Sequence, residues 1–139
     1  MQPAYDFLLE LAEAGRLDVA DASLARLESG EIDVCINWDY NSLNYRDQIQ
    51  TNNPNASFTV SIPQDASVQS GYCTVINKYA PHPAAACLAR EFILSDEGQI
   101  NLARGYATPI RDVDLPDDVA AMRLPDEQYG DQVQTVDES

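Results

Sequence analysis

Glu28–Ile49, ESGEIDVCINWDYNSLNYRDQI, changes its pattern at Trp38. Before that point Ile32, Val34, Ile36 and Trp38 alternate with Asp33, Cys35 and Asn37, the period-two signature of a strand with one buried face. After it the chain turns polar and aromatic, and Asp39 or Asn41 is placed to cap a helix over about 42–50. A strand that runs into a helix N-terminus is the repeating unit of α/β domains, and ligands bind at such junctions.

The flanking sequence extends this reading. Tyr5, Leu8, Leu9 and Ala12 recur at helical spacing between Pro3 and Gly15, so a helix is expected over 3–14. A second is expected over 20–29, with Leu24 and Leu27 as its stripe and Gly30 as its stop. Phe58, Val60 and Ile62 alternate, and 72–76 reads as a third strand. The loops 51–57 and 63–71 separate them. After two prolines, Ala85, Leu88 and Phe92 share one face of a helix over 83–94. Ser95 caps the next, over 96–104, where Ile100 and Ala103 point inward. From Tyr106 prolines and acids break the chain up, leaving a short helix near 117–122 and a loose tail. The expected class is α/β, with a small mixed sheet flanked by helices.

Composition narrows the function. The 139 residues are 45% hydrophobic, enough for one packed domain. Asp and Glu number 23 against 8 Lys and Arg, a net charge of −15, which argues against nucleic acid and anionic membrane as partners. Cys35, Cys73 and Cys87 share no metal-ligand spacing and read as buried inert thiols. His82, the one histidine, lies between two prolines with no partner base or acid. There is no phosphate-binding loop, dinucleotide fingerprint or nucleophile elbow, so neither catalysis nor a cofactor is expected. Asn55-Ala56-Ser57 fits a glycosylation acceptor.

A set of short motifs carries more weight together than singly. LESGEIDVCINWDY and SIPQDASVQSGYCTVINKYAPHPAAACLAREFILSDEGQINLARGYATPIR hold, in order, five elements. These are a Gly-Glu turn before a strand ending in an aromatic, a Pro-x-acid loop, a Pro-x-Ala-Ala helix start, ILSDEGQ and PIR. Over about residues 25–111 the chain resembles the C-terminal part of bacterial extracellular solute-binding proteins of ABC importers, especially those for ferric iron, polyamines and phosphonates.

The resemblance implies two α/β lobes with a solute held between them, closed by a hinge. It implies that the chain is a fragment: residues 1–62 as part of the second lobe, 63–110 as the hinge return and part of the first, and 111–139 returning towards the second. It implies a secreted protein, periplasmic or tethered outside a membrane, that works with an ABC permease and is encoded behind a signal peptide. Incomplete lobes imply an oligomer or a domain swap.

Candidate ligand-binding residues follow at two places. Trp38, Asp39, Tyr40 and Asn41 offer a ring face for a cation, a carboxylate, a phenol and an amide. In the family's ferric binders this place carries two adjacent tyrosines; here it reads Asp39-Tyr40. In its polyamine binders a tryptophan and carboxylates hold ammonium groups, which favours a cationic solute. Ser67, Gln69, Ser70 and Tyr72 form the second place, on a loop that lines the family's cleft. Three readings stand against these: Trp38 packed in the core with Asp39 as a helix cap, the 64–72 loop as a hinge connection with no ligand contact, and an enzyme or stand-alone acidic domain on the same fold.

Overall fold

Glycine ends each of the first two helices by the same mechanism. In the computed structural model, which describes residues 2–64, 67–129 and the backbone of 134–135, helix α1 spans Gln2–Glu13 and α2 spans Leu24–Glu28. Gly15 (φ 66°) and Gly30 (φ 72°) take the left-handed conformation that glycine adopts without steric cost. The next amides then reach back: Arg16 N–H to the Leu11 carbonyl at 2.9 Å and Glu31 N–H to that of Arg26 at 3.0 Å. These are the closing bonds of a Schellman motif. The second helix is shorter than its expected 20–29, because Ser23 caps it, its hydroxyl accepting the Arg26 amide. Arg26 pairs with Asp18 and Glu31 and donates to the Asp21 carbonyl at 3.1 Å, which ties 18–31 into one turn.

The chain divides into two units, Met1–Cys35 and Ile36–Ser139. In the second, α3 spans Asp39–Asn52, α4 Pro83–Ile93, α5 Asp96–Ala103, α6 Asp117–Ala120 and α7 Asp126–Tyr129. Strands β1 (Val68–Gln69) and β2 (Gln134–Thr135) pair in parallel, Val68 with Gln134 and Gln69 with Thr135. Leu43, Ile49, Ala103, Val119 and Leu124 are its buried apolar side chains. Two bonds draw α3 to the segments after α5 and α6, and a third, within α3, ties their two α3 residues together. Tyr106 donates its hydroxyl to Asp47 (3.0 Å), Arg46 donates to the Met122 carbonyl (2.8 Å), and Arg46 pairs with Asp47 (2.7 Å).

The small mixed sheet is not formed among the described residues. The segments 32–38, 58–62 and 72–76 carry no ladder, and Val34, Ile36 and Val75 are 83%, 102% and 87% exposed. Alternation creates a face suited to pairing, but a strand exists only when a neighbour supplies the hydrogen bonds. Two further expectations change for a related reason. Leu88 and Phe92 on α4 are 72% and 47% exposed, so that stripe faces outward. All three cysteines are free; Cys73 and Cys87 are exposed and Cys35 is half-buried, so they are not buried thiols.

The ILSDEGQ motif acquires a structural reason. Ser95 caps α5, its hydroxyl accepting the Gly98 amide at 3.2 Å and donating to the Phe92 carbonyl at 2.7 Å. This folds α5 back against α4 so closely that a Cβ on Gly98 would stand 1.9 Å from the Phe92 carbonyl oxygen. Gln99, 2% exposed, then uses both ends of its amide: Nε2 donates to the Ile93 carbonyl (2.7 Å) and Oε1 accepts the Ile110 amide (2.9 Å). Gly98→Ala is therefore expected to destabilise the chain by about 1–3 kcal/mol or more, the cost of forced overpacking. Chemical denaturation checks it, and a stability equal to that of the parent would refute the close approach.

Candidate functional site

The first candidate stretch lies at the start of α3, which begins three residues earlier than the sequence suggests. Trp38 is its boundary residue, in extended backbone (φ −62°, ψ 144°), and its carbonyl accepts the Ser42 amide at 3.1 Å. Asn37 braces this turn: its side-chain oxygen accepts the Trp38 amide at 2.8 Å and the Asn41 side-chain amide at 3.3 Å. Neither Asp39 nor Asn41 caps the helix. Asp39 is the first helical residue, where a carboxylate is favoured by the helix dipole. Trp38 is 45% exposed, so it is not a core residue.

The second stretch meets the first at one point. The Tyr72 hydroxyl lies 3.2 Å from that of Tyr40, joining residues 32 positions apart. That hydrogen bond, then burial and the nearby Asp39 charge, raise the Tyr40 phenol above its usual ionisation range. Ser67 turns its hydroxyl to the Pro63 carbonyl, Gln69 takes part in β1, and Ser70 is exposed. Among the described residues no hydrogen bond links Ser67, Gln69 or Ser70 to Trp38–Asn41.

Tyr129, on α7, completes the arrangement and was not anticipated. Its hydroxyl donates to Asp39 Oδ2 at 3.3 Å, and the Arg123 guanidinium stands 5.7 Å from its ring centre. Burial, followed by the charge of Asp39, raises its phenol as well. Asp39 thus has a phenol on one oxygen and a second phenol on the adjacent residue, itself bonded to a third. A cleft of about 400 Å³ is lined by 113–115, Ala120 and 123–126, Arg123 among them. None of the expected site residues lines it.

The cluster presents one carboxylate and three phenols, with the exposed indole of Trp38 next in sequence, and among the described residues no group of three or more His, Cys, Asp or Glu side chains could hold a metal ion. The sequence model of the bacterial extracellular solute-binding proteins matches residues 1–137. The chain belongs to that family. No curated protein matches it. As a solute-binding protein it is a substrate-binding component of an ABC importer, with a small-molecule solute and a transporter as partners. Its place is extracellular or periplasmic, and the family is one of binders rather than enzymes. No helix among the described residues is long and apolar enough to cross a membrane.

If the Tyr40–Tyr72 contact holds the Tyr40 proton, Tyr72→Phe is expected to bring the ionisation of Tyr40 down towards that of a free phenol. Carbon-13 NMR of ring-labelled tyrosine reads this midpoint, and an unchanged value would show that the two hydroxyls do not meet.

Proposed function

We propose that the solute is a small cation of the polyamine type, anchored by the Asp39 carboxylate and flanked by Trp38, Tyr40 and Tyr72, with Asn41 and the Ser67–Ser70 loop beside it. The observation that supports this is the Tyr40–Tyr72 hydroxyl pair next to Asp39, which brings a carboxylate and aromatic groups from two separate stretches to one place. A cation gains from an aromatic face and from a carboxylate. A phosphonate would meet repulsion from Asp39, in a chain whose net charge is −15. On this reading the protein does no chemistry on its solute and works outside a bacterial membrane with a permease. Residues 1–62 and 111–139 belong to the second lobe and 63–110 to the hinge return and first lobe.

Ferric iron is the second reading, favoured by the same pair of phenols, since hard oxygen donors suit it. The two readings separate by pH. Tyr40 holds its proton above the usual phenol range, so at neutral pH an iron–phenolate bond forms only by releasing that proton. Iron affinity is then expected to fall as pH falls, by about tenfold per unit for each phenolate formed. An ammonium–carboxylate contact is flat between about pH 6 and 8, where both groups normally keep their charge. Calorimetric titration with spermidine and with a ferric chelate across that range decides between them.

Asp39→Asn tests the anchor. Spermidine binding is expected to weaken by one to three orders of magnitude, about 1.4 kcal/mol per tenfold. Stability should change by no more than about 1 kcal/mol, because asparagine keeps an oxygen that can accept the Tyr129 hydroxyl and loses the charge favoured at a helix start. Undiminished spermidine binding by Asp39→Asn would remove Asp39 from the site.

The apolar side chains left outward support association. Tyr5, Leu8 and Leu9 on α1, and Leu88 and Phe92 on α4, form exposed helical surfaces of the kind that copies of a chain bury against each other. Light scattering at high concentration should give a mass above that of the 15.3 kDa monomer, and a strictly monomeric mass would overturn this.

A further inference from the structure

The segment that follows α6 is bonded to both halves of the candidate site. Its start is fixed to the middle of α3, where Arg46 donates to the Met122 carbonyl at 2.8 Å. Its next fixed point is the first residue of the same helix, where Tyr129 donates to Asp39 at 3.3 Å. Asp39 and Arg46 are seven residues apart, two turns along one helical face. Between them lie Ser42 and Leu43, both buried, Leu43 completely. Residues 122–129 are therefore tied to α3 at two points, its middle and its N-terminus. The segment also reaches the loop that carries Tyr72: Gln64 Nε2 donates to the Gln128 carbonyl at 2.8 Å, and further on 134–135 pair with 68–69.

Those bonds place one side chain directly on the charged group of the site. The geometry points to Tyr129 as a positioning residue for the solute, its phenol fixing the Asp39 carboxylate while 122–129 hold the helix and the loop in register. This rests on the reading of Asp39 as the solute's anchor. The reasoning is chemical. A carboxylate has two oxygens and several acceptor positions, so a phenol on Oδ2 leaves Oδ1 open to a cation. An aspartate without that phenol rotates freely about its last torsion, and ordering it on binding costs entropy. The Arg123 guanidinium, 5.7 Å from the Tyr129 ring centre, makes a cation–π contact that helps to keep that ring in place. The burial and the Asp39 charge that disfavour ionised Tyr129 keep it a donor at neutral pH.

The test is a double-mutant cycle on the whole 139-residue chain, with spermidine as the calorimetric probe. Tyr129→Phe keeps the ring and removes only the hydroxyl, and is expected to weaken spermidine binding about 3- to 10-fold, the net value of one hydrogen bond. Asp39→Asn is expected to weaken it more, and the double variant no further than Asp39→Asn alone, because Tyr129 acts only through that carboxylate. A nuclear Overhauser contact between the Tyr129 ring and the Asp39 Hβ protons should be present in the parent chain without any solute. Undiminished binding by Tyr129→Phe, losses that simply add in the double variant, or a missing Overhauser contact would overturn the role of Tyr129 and leave the Asp39 anchor standing. Failure of the parent to bind spermidine, or a loss with Tyr129→Phe but none with Asp39→Asn, would overturn the anchor itself and this role with it.

Discussion

One shared carboxylate fixes the position of α3, and the candidate site depends on that helix. Asp47 accepts from Arg46 and from the Tyr106 hydroxyl, while Arg46 also donates to the Met122 carbonyl. Each partner is only partly exposed, so these charge-assisted bonds escape much of the screening that weakens pairs in open water. They also hold an unfavourable conformation. Tyr106 sits at φ 69°, a left-handed state that costs a residue with a Cβ about 1–2 kcal/mol, although Gly105 is next to it. The side chain explains the choice. Only a residue with a long arm and a terminal donor reaches Asp47 from this turn, so the backbone strain and the hydrogen bond belong together. With α3 fixed at Arg46 and Asp47, its N-terminus is aimed at Tyr72 and Tyr129.

Most of the helices were legible in the sequence, α7 excepted, and the sheet was not, and the difference is one of range. A helix is made by residues a few positions apart. The stops at Gly15 and Gly30, the Ser95 cap and the Pro83 start are local chemistry, and each appears where its residue types require. The alternation through Ile32–Trp38 is equally clear, yet it describes one half of an interaction whose other half is another strand. Ile36 stands fully exposed, with the right pattern and no neighbour among the described residues. The stripe on α4 shows the same limit. Its periodicity says that Leu88 and Phe92 share a face, and says nothing of what that face covers.

The site divides along the same line. The junction at Trp38–Asn41 was readable because a change of pattern marks it. Its union with Tyr72 was expected only through the family resemblance, and the structure supplies the contact that joins the two stretches. Ser67 was chosen for its polarity, but its hydroxyl is engaged by the Pro63 carbonyl of its own loop. Tyr129 carried no signal. It lies in a four-residue helix within an acidic, proline-broken stretch, and no periodicity or motif separates it from its neighbours. Its importance comes from a contact across 90 residues, the kind of information that a pattern of near neighbours does not contain.

The proposed cationic solute is compatible with the chain's marked acidity without a role for every acid. A net charge of −15 draws cations from a distance, but it does so over the whole surface and is screened within about 8–10 Å at ordinary salt. Selection has to occur where screening is weak and geometry is fixed. On the proposed reading Asp39 meets both conditions, being half-buried, placed by a helix start and approached by the Tyr129 phenol rather than by a lysine or arginine that would neutralise it. Arg123 comes near but stands over the ring of Tyr129 instead of pairing with the carboxylate. A phenol between the two charges lets Asp39 be held in position while its negative charge stays available, which a direct arginine pair would not allow.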